Sequence, residues 1–158
     1  MKPKSLSRSA LVTMTVARFL AAFIFIGCML FLPAGTLGYW EAWLYMGLLF
    51  ILLGYLLFVL TIRENRFAPR VVEVQENQVV IRTGPCALVR HPMYLAVSVI
   101  FTFTSLALGS FWALIPALLL PVVLAARIGN EEQLLRRDLP GYVEYCQKVK
   151  YRVLPFIW

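Results

Sequence analysis

Residues 93–126 read MYLAVSVIFTFTSLALGSFWALIPALLLPVVLAA and carry no charged side chain. As one helix at 1.5 Å per residue the tract would measure roughly 50 Å, against a bilayer hydrocarbon core of about 30 Å. It must therefore turn. Gly109-Ser110, near the middle, is the one good turn signal, so two short helices are expected, 92–108 and 111–127. Pro116 and Pro121 can kink the second, and the carbonyls so freed need partners from neighbouring helices. Each arm is a marginal span, so the hairpin need not reach fully across.

Two further apolar runs precede this tract. Residues 10–32 are apolar apart from Arg18 and end at Pro33–Gly35, too long a run for the apolar region of a cleaved signal peptide. Residues 41–62 hold no charge after Glu41 and begin beside Tyr39, Trp40 and Trp43, which suits an interfacial aromatic belt. The chain is 61% hydrophobic and 15% charged, with the excess gathered in these runs. A soluble core would spread it over amphipathic periods. The expectation is one domain, 1–158: an all-α membrane protein of about four transmembrane helices, the last two a tight hairpin.

The basic residues test that count. Lys2, Lys4 and Arg8 precede the first span; Arg63, Arg66, Arg70, Arg82 and Arg90 lie in the loop 63–91. Arg127, Arg136, Arg137, Lys148, Lys150 and Arg152 lie at or after the last span. With four spans every one except Arg18 falls on a single face, which the positive-inside rule makes cytoplasmic, along with both termini. Arg18 either snorkels to that edge or faces the bundle interior. The formal charge of +7 is thus a matter of topology and not of nucleic-acid binding, since no basic stretch is interleaved with stacking aromatics. Cys28, Cys86 and Cys146 are far apart and match no metal spacing, so reduced thiols and no metal site are expected.

Polar chemistry gathers in the cytoplasmic loop 63–91 and the tail 128–158. In the loop, Val71, Val72 and Val74 are separated from Val79, Val80 and Ile81 by the Glu76-Asn77 turn signal, predicting a small hairpin or extended pair against the membrane face. Pro92 suits the first position of a helix, leaving His91 at its cap beside free N–H groups and the positive end of the dipole. With Arg90 this makes an anion site; the plainer reading is Arg90 on lipid phosphate and His91 capping its own helix. In the tail, Arg127 and Glu131 stand four residues apart on one helical face, as a site pair or a simple surface pair. Leu139-Pro140-Gly141 breaks the helix. Tyr142, Tyr145, Cys146 and Val149 then take the spacing of an amphipathic helix that lies in the interface or folds back over the loop.

The ordered series GPxxxVRHPMY from Gly84, RxxxEE from Arg127, LPGYxxYxxxV from Leu139 and a closing LPFIW resembles the isoprenylcysteine carboxyl methyltransferase family. It also resembles the wider group of small membrane methyltransferases that includes phospholipid methyltransferases. The resemblance covers about 71–158 and implies S-adenosylmethionine as cofactor. By position, it implies cofactor contacts at Gln78, Val79, Val80, Ile81, Cys86, His91, Pro92, Met93, Tyr94 and Glu131, with Arg127 toward the substrate. Eukaryotic members are similar to one another in carrying His where Gln78 stands and an aromatic where Cys86 stands.

On that reading Arg90 and His91 hold the cofactor's carboxylate, Arg127 and Glu131 are the catalytic pair, and Arg127 favours a carboxylate acceptor over an amine. The acceptor expected is a membrane lipid or a lipidated small molecule, reached at the cytoplasmic interface of a bacterial-type inner membrane. Two other readings stay open. One is a relative of the NADPH-dependent membrane sterol reductases, which resemble this group in their own C-terminal half; the other is a non-enzymatic membrane scaffold.

Overall fold

Long apolar runs in lipid become helices because the backbone there must satisfy its own hydrogen bonds. A computed structural model of the chain describes residues 8–65, 67, 77–155, 157 and 158. Its described elements are α1 (Arg8–Ala34), α2 (Trp40–Glu64), a 3-10 turn (Gly84–Ala87), α3 (Pro92–Ala107), α4 (Phe111–Asp138) and α5 (Tyr142–Lys148).

The turn in the uncharged tract falls at the expected place. Gly109 takes the left-handed φ of 63°, and Ser110 donates its N–H to Ser105 O at 3.0 Å. Ser105 Oγ also donates to Ala113 O at 3.2 Å, tying the two arms together above the reversal. Pro116 and Pro121 lie inside α4 without ending it. The helix stops at Asp138, where Leu139 turns extended ahead of Pro140, as the residue before a proline prefers.

α2 and α3 form the closest pairing. A Cβ on Gly47 would lie 2.6 Å from Ala107 Cβ, and one on Gly54 would lie 2.9 Å from Ile100 Cγ1. Only glycine lets the backbones approach so far. Thr61, 1% exposed, continues the seam, so Gly47, Gly54 and Thr61 recur at the seven-residue interval that keeps one helical face on its partner. Phe50 bridges outward, stacking on Phe103 of α3 at 4.3 Å and meeting Phe23 of α1 edge-on at 5.1 Å. These pairings make neighbouring helices antiparallel. The N-terminus of α3 and the C-terminal ends of α2 and α4 therefore share one end of the bundle, where Arg63, Arg82, Arg90, Arg127 and Arg136 also lie.

The outside is apolar. Leu48, Leu52 and Tyr55 on α2, and Leu118, Leu119, Val122 and Val123 on α4, are all more than half exposed. α2 and α4 are long and apolar enough to cross a membrane, yet only 22% and 11% of their most apolar stretches are buried inside the protein. A soluble core helix of that composition would be covered by its own chain. α3, and the apolar part Leu20–Ala34 of α1, are shorter. Arg18 is exposed on α1.

The expected hairpin in the loop is corrected on its described side. Val79, Val80 and Ile81 belong to no strand; Val71, Val72 and Val74 lie outside the described residues. β-branched side chains favour a half-buried surface more than a strand as such. Here helices supply that surface: Val80 packs on Leu139, Tyr142, Tyr145, Cys146 and Val149. α5 thus folds back over the loop, and its apolar face is buried in the protein.

Candidate active site at the mouth of the helices

Glu132 organises the polar end. It sits one turn beyond Ile128 on the buried stripe of α4 and is 2% exposed. Its Oε1 accepts from Arg90 Nε at 2.7 Å and lies 3.3 Å from His91 Nε2. Its Oε2 accepts from Arg152 Nε at 3.2 Å and from Arg90 Nη2 at 3.4 Å, with Arg136 Nη2 at 3.9 Å. Burial alone would raise its pKa. The hydrogen bond from His91 and the charges of Arg90, His91 and Arg152 outweigh it and hold the carboxyl at about 2. Glu132 is therefore ionised at any physiological pH.

Arg90 and His91, where a cofactor carboxylate is expected, thus meet the chain's own carboxylate at Glu132. Arg90 Nη1 also donates to Val149 O at 3.1 Å. The segment after α5 closes over the same point: Arg90 N–H bonds Tyr151 O at 3.0 Å and His91 N–H bonds Arg152 O at 2.8 Å.

A second relay stands beside it. Tyr94, on the first turn of α3, stacks its ring on His91 at 5.6 Å. Its hydroxyl donates to Glu131 Oε2 at 2.9 Å and accepts from Arg127 Nε at 3.0 Å. Arg127 and Glu131, expected as a pair on one helical face, are thus joined through a phenol from the neighbouring helix. Arg127 is exposed and Glu131 half-buried.

Between the C-terminal end of α2, the 77–91 segment, the head of α3, the far end of α4 and α5 lies a cleft of about 650 Å³, counting its open mouth. Gln78, Val79, Val80, Ile81, Cys86, Arg90, His91, Pro92, Met93, Tyr94 and Glu131 all line it; Arg127 does not. Cys86 is not a nucleophile there. Burial, reinforced by the charge of Glu64 and only partly opposed by a hydrogen bond with Asn65, pushes its thiol up to about 11. Tyr145 donates to Cys86 O at 2.7 Å, fastening α5 to the 3-10 turn. Burial pushes the Tyr145 and Tyr142 phenols up as well, so both remain neutral.

Sequence reasoning missed the roles of Glu132, Arg152, Thr61, Asn65, Tyr142 and Tyr145. One signal was available: Ile128, Glu132, Leu135 and Leu139 form a single helical stripe, so Glu132 is an acid placed among apolar positions. Nothing local to Arg152 announces its partner twenty residues earlier. Among the described residues, no group of histidine, cysteine and acidic side chains could hold a metal ion.

An apolar helical bundle with a cleft of mixed polar and apolar lining at one end defines a membrane protein with a candidate site. The family model for phospholipid methyltransferase matches residues 42–139, from the start of α2 to the end of α4. The chain belongs to that family and is a membrane methyltransferase. No curated protein and no solved structure matches it.

Proposed function

We propose that this chain transfers a methyl group from S-adenosylmethionine to a lipid-like or prenylated acceptor, a carboxylate in preference, at the cytoplasmic face of a bacterial-type inner membrane. The reading includes a single domain, 1–158, with four crossings and cytoplasmic termini. The observation that carries it is the gathering of Gln78–Ile81, Cys86, Arg90–Tyr94 and Glu131 on one cleft at the polar end of the bundle. The residues present fit the cofactor. The open cleft offers acceptors at Glu131 and aromatic surface at Tyr94 and Tyr145.

The cofactor's sulfonium, when bound, supplies a methyl group already activated for displacement. The chain's own residues then need to bind, orient and exclude water. Glu132 holds Arg90 and His91 in place, and His91 in turn stacks on Tyr94, so the head of α3 is fixed before any ligand arrives. Tyr94 fixes Glu131 on the cleft and Arg127 outside it, on the exposed face of α4. Arg127 there can pair with an acidic acceptor approaching from lipid. A carboxylate acceptor needs no general base.

A second reading, an amine headgroup, is favoured by Glu131, whose carboxylate stands on the cleft to take a proton. The test is to incubate the purified protein in detergent with total lipid extract and methyl-labelled S-adenosylmethionine. A base-labile lipid label supports the ester, and a base-stable one the amine. Failure to bind S-adenosylmethionine, or binding of NADPH in its place, would overturn the proposal.

A further inference from the structure

Tyr142 opens α5, and its ring packs with Leu139, Tyr145, Cys146 and Val149. Only 4% of the residue is exposed. Its hydroxyl has no hydrogen-bond partner, and it is the one buried side-chain polar atom among the described residues of which this is true. Tyr145, one turn on and equally buried, shows the ordinary solution by donating to Cys86 O at 2.7 Å. A hydroxyl left unmet in an apolar cluster is penalised by lost hydration, and phenylalanine would fill the same space without that penalty. Such groups call for an explanation, and Tyr142 lies on the wall of the cleft.

We infer that the Tyr142 hydroxyl is a ligand-binding group and that the subsite around it takes the adenine base of the methyl donor. The inference rests on the cofactor reading above and adds a residue and an orientation to it. The side chains packed around Tyr142, including Val80 and Leu135, are mainly apolar, with the Arg90–Glu132 pair close enough for its charges to act on the hydroxyl. Arg90 is paired with Glu132, whereas Glu131, on the Tyr94 side of the cleft, meets only a neutral hydroxyl. The ammonium of the amino-acid end would find its counter-charge at Glu131 on the Tyr94 side, which leaves the Tyr142 side to the base. A flat, uncharged ring with donors and acceptors along its edge suits apolar walls and a single neutral hydroxyl, which can both donate and accept.

Tyr142→Phe tests it, with two ligands titrated calorimetrically against wild type and variant in detergent. S-adenosylhomocysteine carries base, ribose and amino-acid end; 5′-methylthioadenosine carries only the first two. The expected result is about tenfold weaker binding of both by the variant, the usual loss for one hydrogen bond to a ligand. Its melting temperature should be equal to or above that of wild type. Unchanged affinity would overturn the inference, as would a loss confined to S-adenosylhomocysteine. A melting temperature lowered by several degrees would also overturn it, since the hydroxyl would then have a structural partner. Wild-type protein that binds neither ligand would instead remove the cofactor reading itself.

Discussion

Replacing Glu132 by glutamine keeps the shape of the side chain and removes its charge. Arg90, whose side chain is 6% exposed, would then be a buried guanidinium without a counter-charge, and Arg152 and His91 would lose the same partner. Breaking a buried ion pair by deleting one member typically costs about 3–5 kcal/mol. For a chain of this size, each kcal/mol moves the melting temperature by about 2–4 °C, so a fall of roughly 6–20 °C is expected. The pH dependence sharpens the test. The Glu132 carboxyl is lowered from an ordinary 4.5 to about 2 in the folded protein. A depressed acid contributes its full stability above the unfolded value and loses it as pH falls through the folded one. Wild type should therefore lose stability between about pH 4.5 and pH 2, and Glu132→Gln should lose less over that window. Thermal unfolding in detergent, followed by tryptophan fluorescence, measures both. A variant melting within about 2 °C of wild type at neutral pH would refute the claim that Glu132 holds this end together.

Gly47→Leu drives a side chain into Ala107, where even a Cβ would sit at 2.6 Å, so the α2–α3 seam should open at a cost of about 1–3 kcal/mol or more, read as a lower melting temperature. Tyr94→Phe removes the hydroxyl that joins Arg127 to Glu131, and methyl transfer should fall by about tenfold or more with the fold retained, measured with labelled cofactor. Cys86, buried and raised to about 11, should resist alkylation by N-ethylmaleimide at pH 7.5 until the protein is unfolded, as mass spectrometry of the digested protein would show.

The features legible in the sequence were those set by bulk constraints. An uncharged run too long for one crossing had to reverse at Gly109-Ser110, and Leu139-Pro140-Gly141 had to stop α4. The spacing of Tyr142, Tyr145, Cys146 and Val149 marked a helix with a buried side. What stayed hidden depends on which surfaces meet. Gly47 and Gly54 read as ordinary apolar-run glycines until the opposing α3 backbone gives them a reason. The dipole argument at His91 was physically sound about sign, but a local reading could not supply a carboxylate forty-one residues away. Glu131 drew attention through its spacing from Arg127, while Glu132, the next residue, had the more buried and more connected position. The β-branched pattern at Val79–Ile81 reported the packing of Val80 but not the exposure of Val79, and it misreported the element, because helices and not a strand cover Val80.

On the proposed reading, the glycine contacts between α2 and α3 would also govern traffic. Two backbones that touch leave no gap through which an acyl tail could slip, so an acceptor dissolved in the bilayer would be turned away from that flank. α4 offers the opposite condition: Leu119 and Val123 are open along its outer surface, and Arg127 follows at the next four-residue step. A greasy molecule sliding along that surface meets its first cation one residue past the last apolar stretch, within a hydrogen bond of Tyr94. For such an acceptor the tight seam on one flank would act as a wall and leave the α4 flank as the front door.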